Sequence, residues 1–113
     1  MLNMYGINNC DTIRKARNWL DQHRLDYHFH DYKKNPPTEK MIRSWCREID
    51  FNDLINRKGS TWRKLPDTAK ASLDLEKAVQ LMCENPSLIK RPLLDTGTAK
   101  IVGFDQTRYE SLL

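Results

Sequence analysis

Cys10 is the residue best placed for chemistry in this chain, within the run Tyr5-Gly6-Ile7-Asn8-Asn9-Cys10-Asp11-Thr12. An extended apolar stretch, Leu2 to Ile7, precedes it, and an amphipathic helical stretch begins at Asp11. The thiol therefore falls at a helix N-terminus. The first amides of a helix lack internal partners and carry the positive end of its dipole, so a sulfur there is stabilised as the nucleophilic thiolate. Arg14 follows one turn later, where its charge can lie over the sulfur, whereas Asp11 opposes ionisation. The residue three positions beyond Cys10 is Ile13, so the motif is Cys-x-x-Ile. A thiol that resolves a mixed disulfide must then come from elsewhere.

A lone cysteine is most often a small buried hydrophobe. The polar pair Asn8 and Asn9 between Gly6 and the helix start argues instead for an exposed turn around Cys10. The other cysteines, Cys46 and Cys83, fall in helical stretches beside apolar residues and read as structural. Either becomes a resolving thiol only if the fold brings it near Cys10. His28 and His30 share one face of a strand, but no cysteine or carboxylate cluster accompanies them at ligand spacing, so no metal site is expected.

Ile13, Ala16 and Leu20 recur at helical spacing and form the core face of the first helix, which Asp21-Gln22-His23-Arg24 ends. Tyr27, Phe29 and Asp31 alternate with His28, His30 and Tyr32 as a second strand. Lys33-Lys34-Asn35-Pro36-Pro37 breaks that strand, and Thr38 caps a helix with Met41, Ile42, Trp45 and Ile49 on its apolar face. Phe51, Leu54 and Ile55 suggest a short turn before the basic loop Asn56 to Ser60, with Trp62, Leu65 and Pro66 anchoring its far side. Asp74 to Glu84 is helical, with Leu75, Ala78, Val79 and Met82 facing inward and Asn85-Pro86 as the stop. Ser87 to Lys90 adds one turn. Arg91 to Leu94 and Ala99 to Phe104 then read as strands around the Asp95-Thr96-Gly97-Thr98 turn, and Gln106 to Leu113 closes as a helix. Two strands joined by a helix imply a right-handed parallel pair. Pro92 opens a strand and cannot donate to its ladder, which suits an edge strand; both peptide isomers are open from the residues alone.

The chain of 113 residues has the length of one domain. No apolar run is long enough for a membrane span, and Met1-Leu2-Asn3-Met4 turns polar too soon for a signal peptide, so a cytoplasmic location is expected. Three cysteines at wide spacing fit a reducing compartment better than a disulfide framework. The net charge of +4 is spread among acidic residues and favours anionic small molecules or weak contacts with acidic surfaces. No aromatic-interleaved basic stripe or recognition module points to direct nucleic-acid binding.

The run around Cys10, with Lys15-Ala16-Arg17 after it, Asn35-Pro36-Pro37-Thr38 in the middle and Ile89-Lys90-Arg91-Pro92-Leu93 near the end, resembles the arsenate reductase (ArsC)/Spx family, most closely its YffB-like branch. The resemblance covers essentially the whole chain. It implies an α/β fold of the thioredoxin-like (glutaredoxin-like) type: a single domain of 1–113, with a helical insertion at about 38–86 between the two halves of a mixed sheet. It also implies that Pro92 is the cis-proline facing the nucleophile Cys10, and that Arg91 and Arg57 bind an anionic substrate or a carboxylate of glutathione, with Asn9 and Arg14 beside them. The third oxyanion-binding arginine of arsenate reductases falls near Gly103, where this chain has none, and Ile13 replaces the second cysteine of the Spx redox pair. The resemblance thus implies a glutathione-dependent thiol reductase, with glutathione as co-substrate. Its alternatives are arsenate reduction and an Spx-like regulator that binds RNA polymerase without catalysis.

Overall fold

The computed structural model describes residues 1–113, which divide into two compact units: Met1–Asn35 with Arg91–Leu113, and Pro36–Lys90. In the first, strand β1 (Leu2–Gly6) leads to helix α1 (Asp11–Gln22) and strand β2 (Tyr27–Asp31). β1 and β2 are parallel, with Met4 opposite Phe29 and Gly6 opposite Asp31. Strands β3 (Leu93–Asp95) and β4 (Lys100–Val102) complete a mixed sheet in the order β2-β1-β3-β4, in which β1 and β3 run antiparallel and pair Met4 with Leu94. The strand that Pro92 precedes is therefore interior and not an edge.

Period-2 alternation in β1 sends Met4 and Gly6 inward, and the helical spacing of Ile13, Ala16 and Leu20 turns one face of α1 onto the sheet. Met4, Ile13, Ala16 and Leu20 form a core with Trp19, Leu94, Ile101 and Tyr109. Tyr109 lies on a short terminal helix (Gln106–Glu110) that Asp105 caps through the Thr107 and Arg108 amides. Its ring meets Trp19 and Phe104 edge-on, at centroid distances of 5.5 and 4.9 Å.

The inserted unit is helical. α2 (Glu39–Cys46) starts at Thr38, whose hydroxyl accepts from the Met41 amide, and α6 (Leu75–Glu84) starts at Asp74, whose carboxylate accepts from the Lys77 amide. Between them lie α3 (Phe51–Leu54), α4 (Ser60–Lys64) and α5 (Asp67–Lys70); the terminal helix is thus α7. Ile42, Trp45, Ala78, Val79 and Met82 are buried, and Arg43 holds Glu76 with both arms of its guanidinium, at 3.0 and 2.5 Å. Leu75, expected inside, is 43% exposed: as the first residue of its helix it precedes the stripe that faces inward. α4 and α5, of five and four residues, bury no side chain of their own, so the sequence carries no apolar period to mark them. No helix is long and apolar enough to cross a membrane.

Gly6 governs how closely α1 approaches the sheet. A Cβ there would stand 2.5 Å from Ile13 Cδ1 and 3.5 Å from Arg91 Cβ. Ile13 is fully buried and has little room to yield. Gly6→Ala is accordingly expected to destabilise the protein by about 1–3 kcal/mol, measured by urea unfolding, with Ile13→Val as a second substitution that relieves part of the loss.

Candidate active site around Cys10

Cys10 is the N-cap of α1, with φ −146° and ψ 130°. Its N–H donates to the Asn8 carbonyl (3.1 Å), and its own carbonyl accepts from the Arg14 amide (3.0 Å), so the turn and the helix meet at this residue. Sγ sits beside the amides of Thr12 and Ile13. Neither closes a capping hydrogen bond of standard geometry, yet both N–H dipoles point toward the sulfur. Arg91 reaches it from the segment before β3, adding a side-chain hydrogen bond and a positive charge.

The thiol's acidity follows from these opposed influences. Partial burial, the largest single effect, raises its pKa; the amides of Ile13 and Thr12 and the Arg91 guanidinium lower it and together prevail. Cys10 is therefore held below an ordinary thiol. The other two cysteines lack such compensation. Burial raises Cys46, with the Asp50 charge adding to it, and burial raises Cys83, with Glu39 and Glu84 adding; Arg43 offsets each only in part.

The structure places the remaining candidate residues as follows. Arg14 turns to the Asp11 carboxylate and bonds it, so the two charges that were expected to act on Cys10 in opposite senses pair with each other. Asn9 is exposed in the turn. The Arg91–Pro92 peptide is cis, and Pro92 is buried, its carbonyl accepting from the Gly103 amide (2.8 Å). Arg57 belongs to the helical unit, where it bonds the Asn52 side chain and lies 5.2 Å from the Trp62 ring centroid. His30 stacks on Tyr5 at 4.5 Å and meets the Asn3 side-chain oxygen at 2.9 Å.

Two residues of this neighbourhood escaped the sequence reading. Asn8 ties the turn to β2 through Asp31 (3.3 Å), and Arg17 reaches back from α1 to the Asn8 side chain (3.1 Å). The available signal was the position of Arg17 one turn beyond Arg14, on the helix that begins at the thiol.

The family model described as the ArsC family matches residues 5–112. The chain belongs to the ArsC family. A solved structure described as a YffB protein is 45% identical to this ArsC-family chain, covers 98% of it and 97% of its own length, and superposes with a TM-score of 0.96. An arsenate reductase (ArsC) related protein from Brucella melitensis is 41% identical over 97% of this chain and 92% of its own, with a TM-score of 0.79. The global transcriptional regulator Spx of Streptococcus pyogenes serotype M3 is 26% identical, over 100% of this chain and 85% of its own. The mixed sheet and its helices are thus the thioredoxin-like fold of ArsC-family proteins, with the helical unit inserted in sequence between β2 and β3.

Two outcomes follow from the electrostatics. Arg91→Met removes both the hydrogen bond and the charge at the sulfur, and alkylation of Cys10 at pH 6.5 should slow by about three- to tenfold, the loss of thiolate that a rise of half to one pH unit produces. Folding lowers this thiol's pKa, so it contributes stability that is fully present above the unfolded value of about 8.5 and is lost as pH falls through the folded value. The difference in unfolding free energy between the natural protein and Cys10→Ser should therefore grow in the natural protein's favour as pH rises toward 8.5, as denaturant titrations at a series of pH values would show.

Proposed function

We propose that the protein is a glutathione-dependent thiol reductase with Cys10 as its nucleophile. The observation that carries this reading is the convergence of the Thr12 and Ile13 amides and Arg91 on one partly exposed sulfur, which lowers its pKa. In the first step the Cys10 thiolate attacks the glutathionyl sulfur of a mixed disulfide; the new Cys10–glutathione S–S bond forms as the old one breaks, and the substrate leaves as a thiolate that takes a proton from water. A second glutathione, as thiolate, then attacks the glutathionyl sulfur on Cys10, producing glutathione disulfide and restoring the Cys10 thiolate. One glutathione is consumed per turnover: its oxidation yields glutathione disulfide, and the two electrons it gives up reside in the released substrate thiol.

The motif Cys-x-x-Ile supports resolution by an external thiol. Cys46 and Cys83 are raised by burial and are poorer attackers at neutral pH. Arg91, already beside the sulfur, is suited to a glutathione carboxylate, since a guanidinium matches such oxygens in bidentate fashion. Pro92, next to it in the chain, and Asn9, exposed in the thiol-bearing turn, are proposed as contacts for the glutathione backbone. For Arg57 and Arg14 the anion-binding role rests on the family resemblance, and for Arg14 it competes with Asp11.

The match to a global transcriptional regulator supports a second reading, a non-catalytic partner of RNA polymerase. Intact-mass and turnover measurements separate the two. The natural protein should take up one glutathione on Cys10 from glutathione disulfide, release it to excess glutathione, and reduce a glutathionylated peptide, and Cys10→Ser should abolish all three. An inert natural protein that still captures purified RNA polymerase, equally well as Cys10→Ser, would overturn the reductase reading. Oxidation of glutathione that depends on arsenate would instead place the protein with the arsenate reductases.

A further inference from the structure

Arg17 is the most heavily engaged side chain near the thiol that the proposed chemistry leaves unused. From the half-buried side of α1 its Nε–H donates to the Tyr27 hydroxyl (3.0 Å), and an Nη–H donates to Asn8 Oδ1 (3.1 Å). Its guanidinium carbon lies 4.4 Å from the centre of the Phe29 ring and 5.7 Å from that of Tyr27. One residue thus joins α1, β2 and the turn between Ile7 and Cys10. Asn8 completes the connection, because its amide nitrogen donates to Asp31 (3.3 Å) and its backbone carbonyl accepts the Cys10 N–H (3.1 Å).

The arrangement is more than a surface contact. A guanidinium held over two aromatic rings has lost most of its rotamer freedom, and its fork fixes the direction of each bond it makes. Ile7 and Cys10 anchor the two ends of the turn in the interior; between them Asn9 is exposed, and Asn8 is fixed by Asp31 and Arg17 alone among side chains. Without the Arg17 bond, Asn8 keeps only one long hydrogen bond to a neighbouring strand, and the carbonyl that receives the Cys10 amide is free to swing.

We propose that Arg17 is a positioning residue for Cys10: braced on Tyr27 and Phe29, it holds Asn8, and through the Asn8 carbonyl it keeps the sulfur over the Thr12 and Ile13 amides. The inference rests on the reading of Cys10 as the nucleophile and adds the residue that keeps it poised. Arg17 touches neither the sulfur nor the substrate, so its effect is on geometry. The charged groups that act on the thiol directly or lie on its helical turn are Arg91, Asp11 and Arg14, and none of them is altered in the variants below.

The test is the pH profile of Cys10 alkylation in a Cys46→Ala, Cys83→Ala background, read beside the melting temperature. Arg17→Met keeps an aliphatic side chain and loses the guanidinium with both of its hydrogen bonds; Asn8→Ala loses the acceptor for Arg17 and the bond to Asp31; Tyr27→Phe keeps the ring and loses only the hydroxyl that accepts from Nε. Arg17→Met and Asn8→Ala should each move the midpoint upward and slow alkylation at pH 6.5 by about three- to tenfold, with Tyr27→Phe smaller. The double variant Arg17→Met, Asn8→Ala should be no slower than the worse single, as expected for residues acting in series. A natural midpoint for Arg17→Met in the Cys46→Ala, Cys83→Ala background, or strictly additive losses, would overturn the role of Arg17. Should Arg17→Met fail to fold, Arg17→Lys and Asn8→Ala carry the test: a midpoint restored toward the natural one in Arg17→Lys and raised in Asn8→Ala is the expected pattern, and a natural midpoint in Asn8→Ala overturns the proposal. An ordinary midpoint for Cys10 with Arg17 intact would overturn the reductase reading itself, whereas a low midpoint that Arg17 does not influence removes only the inference.

Discussion

The close approach of α1 to β1 is the constraint on which the rest depends. Ile13 fills the space above Gly6, and any side chain at that strand position would collide with it. Because Ile13 belongs to the first turn of α1, its burial fixes where that turn ends, and therefore where the free amides point. A Cβ on the same glycine would also stand 3.5 Å from Arg91 Cβ, so the residue that supplies the thiol's cation packs beside this strand position. A single packing contact in the core thus sets the direction of the helix start.

The three cysteines show what that direction achieves. Each is partly buried, and burial opposes ionisation in all three. Only Cys10 has backbone dipoles and a guanidinium aimed at it; Cys46, in the last turn of α2, and Cys83, in the last turn of α6, lie where a helix presents carbonyls. The chemical difference between identical side chains comes from which end of a helix holds them. Asp11, a carboxylate next to the thiol in sequence, does little harm because Arg14 pairs with it.

Much of this was legible in the residues. The extended apolar stretch from Leu2, the spacing of Ile13, Ala16 and Leu20, and the cap at Thr38 are local signals, and the elements they mark stand where expected; Asp74, read as the first helical residue, caps its helix instead. Long-range choices were not legible. Even locally Arg14 had two partners within reach, a thiol and a carboxylate, and charge pairing at i,i+3 decided between them. Leu75 carries an apolar side chain at a helical position, but the face that is buried is set by the partner helix α2. Arg17 reads as one more basic residue until Tyr27 and Asn8, which the chain brings from a strand and a turn, are seen around it. The interior position of β3 follows from pairing with β1 across nearly the full chain, which no window of sequence contains.

That pairing has a consequence for biosynthesis. Met4 meets Leu94, whereas every residue of Pro36–Lys90 finds its unit within one uninterrupted segment. On a ribosome the helical segment has all its members before the second half of the sheet has emerged. Through that interval β1 has β2 on one side and an unsatisfied edge on the other, the kind of edge that recruits a stranger's strand. The insertion therefore lengthens the time for which the nascent N-terminal half depends on its own brevity, or on chaperones, to stay unpaired.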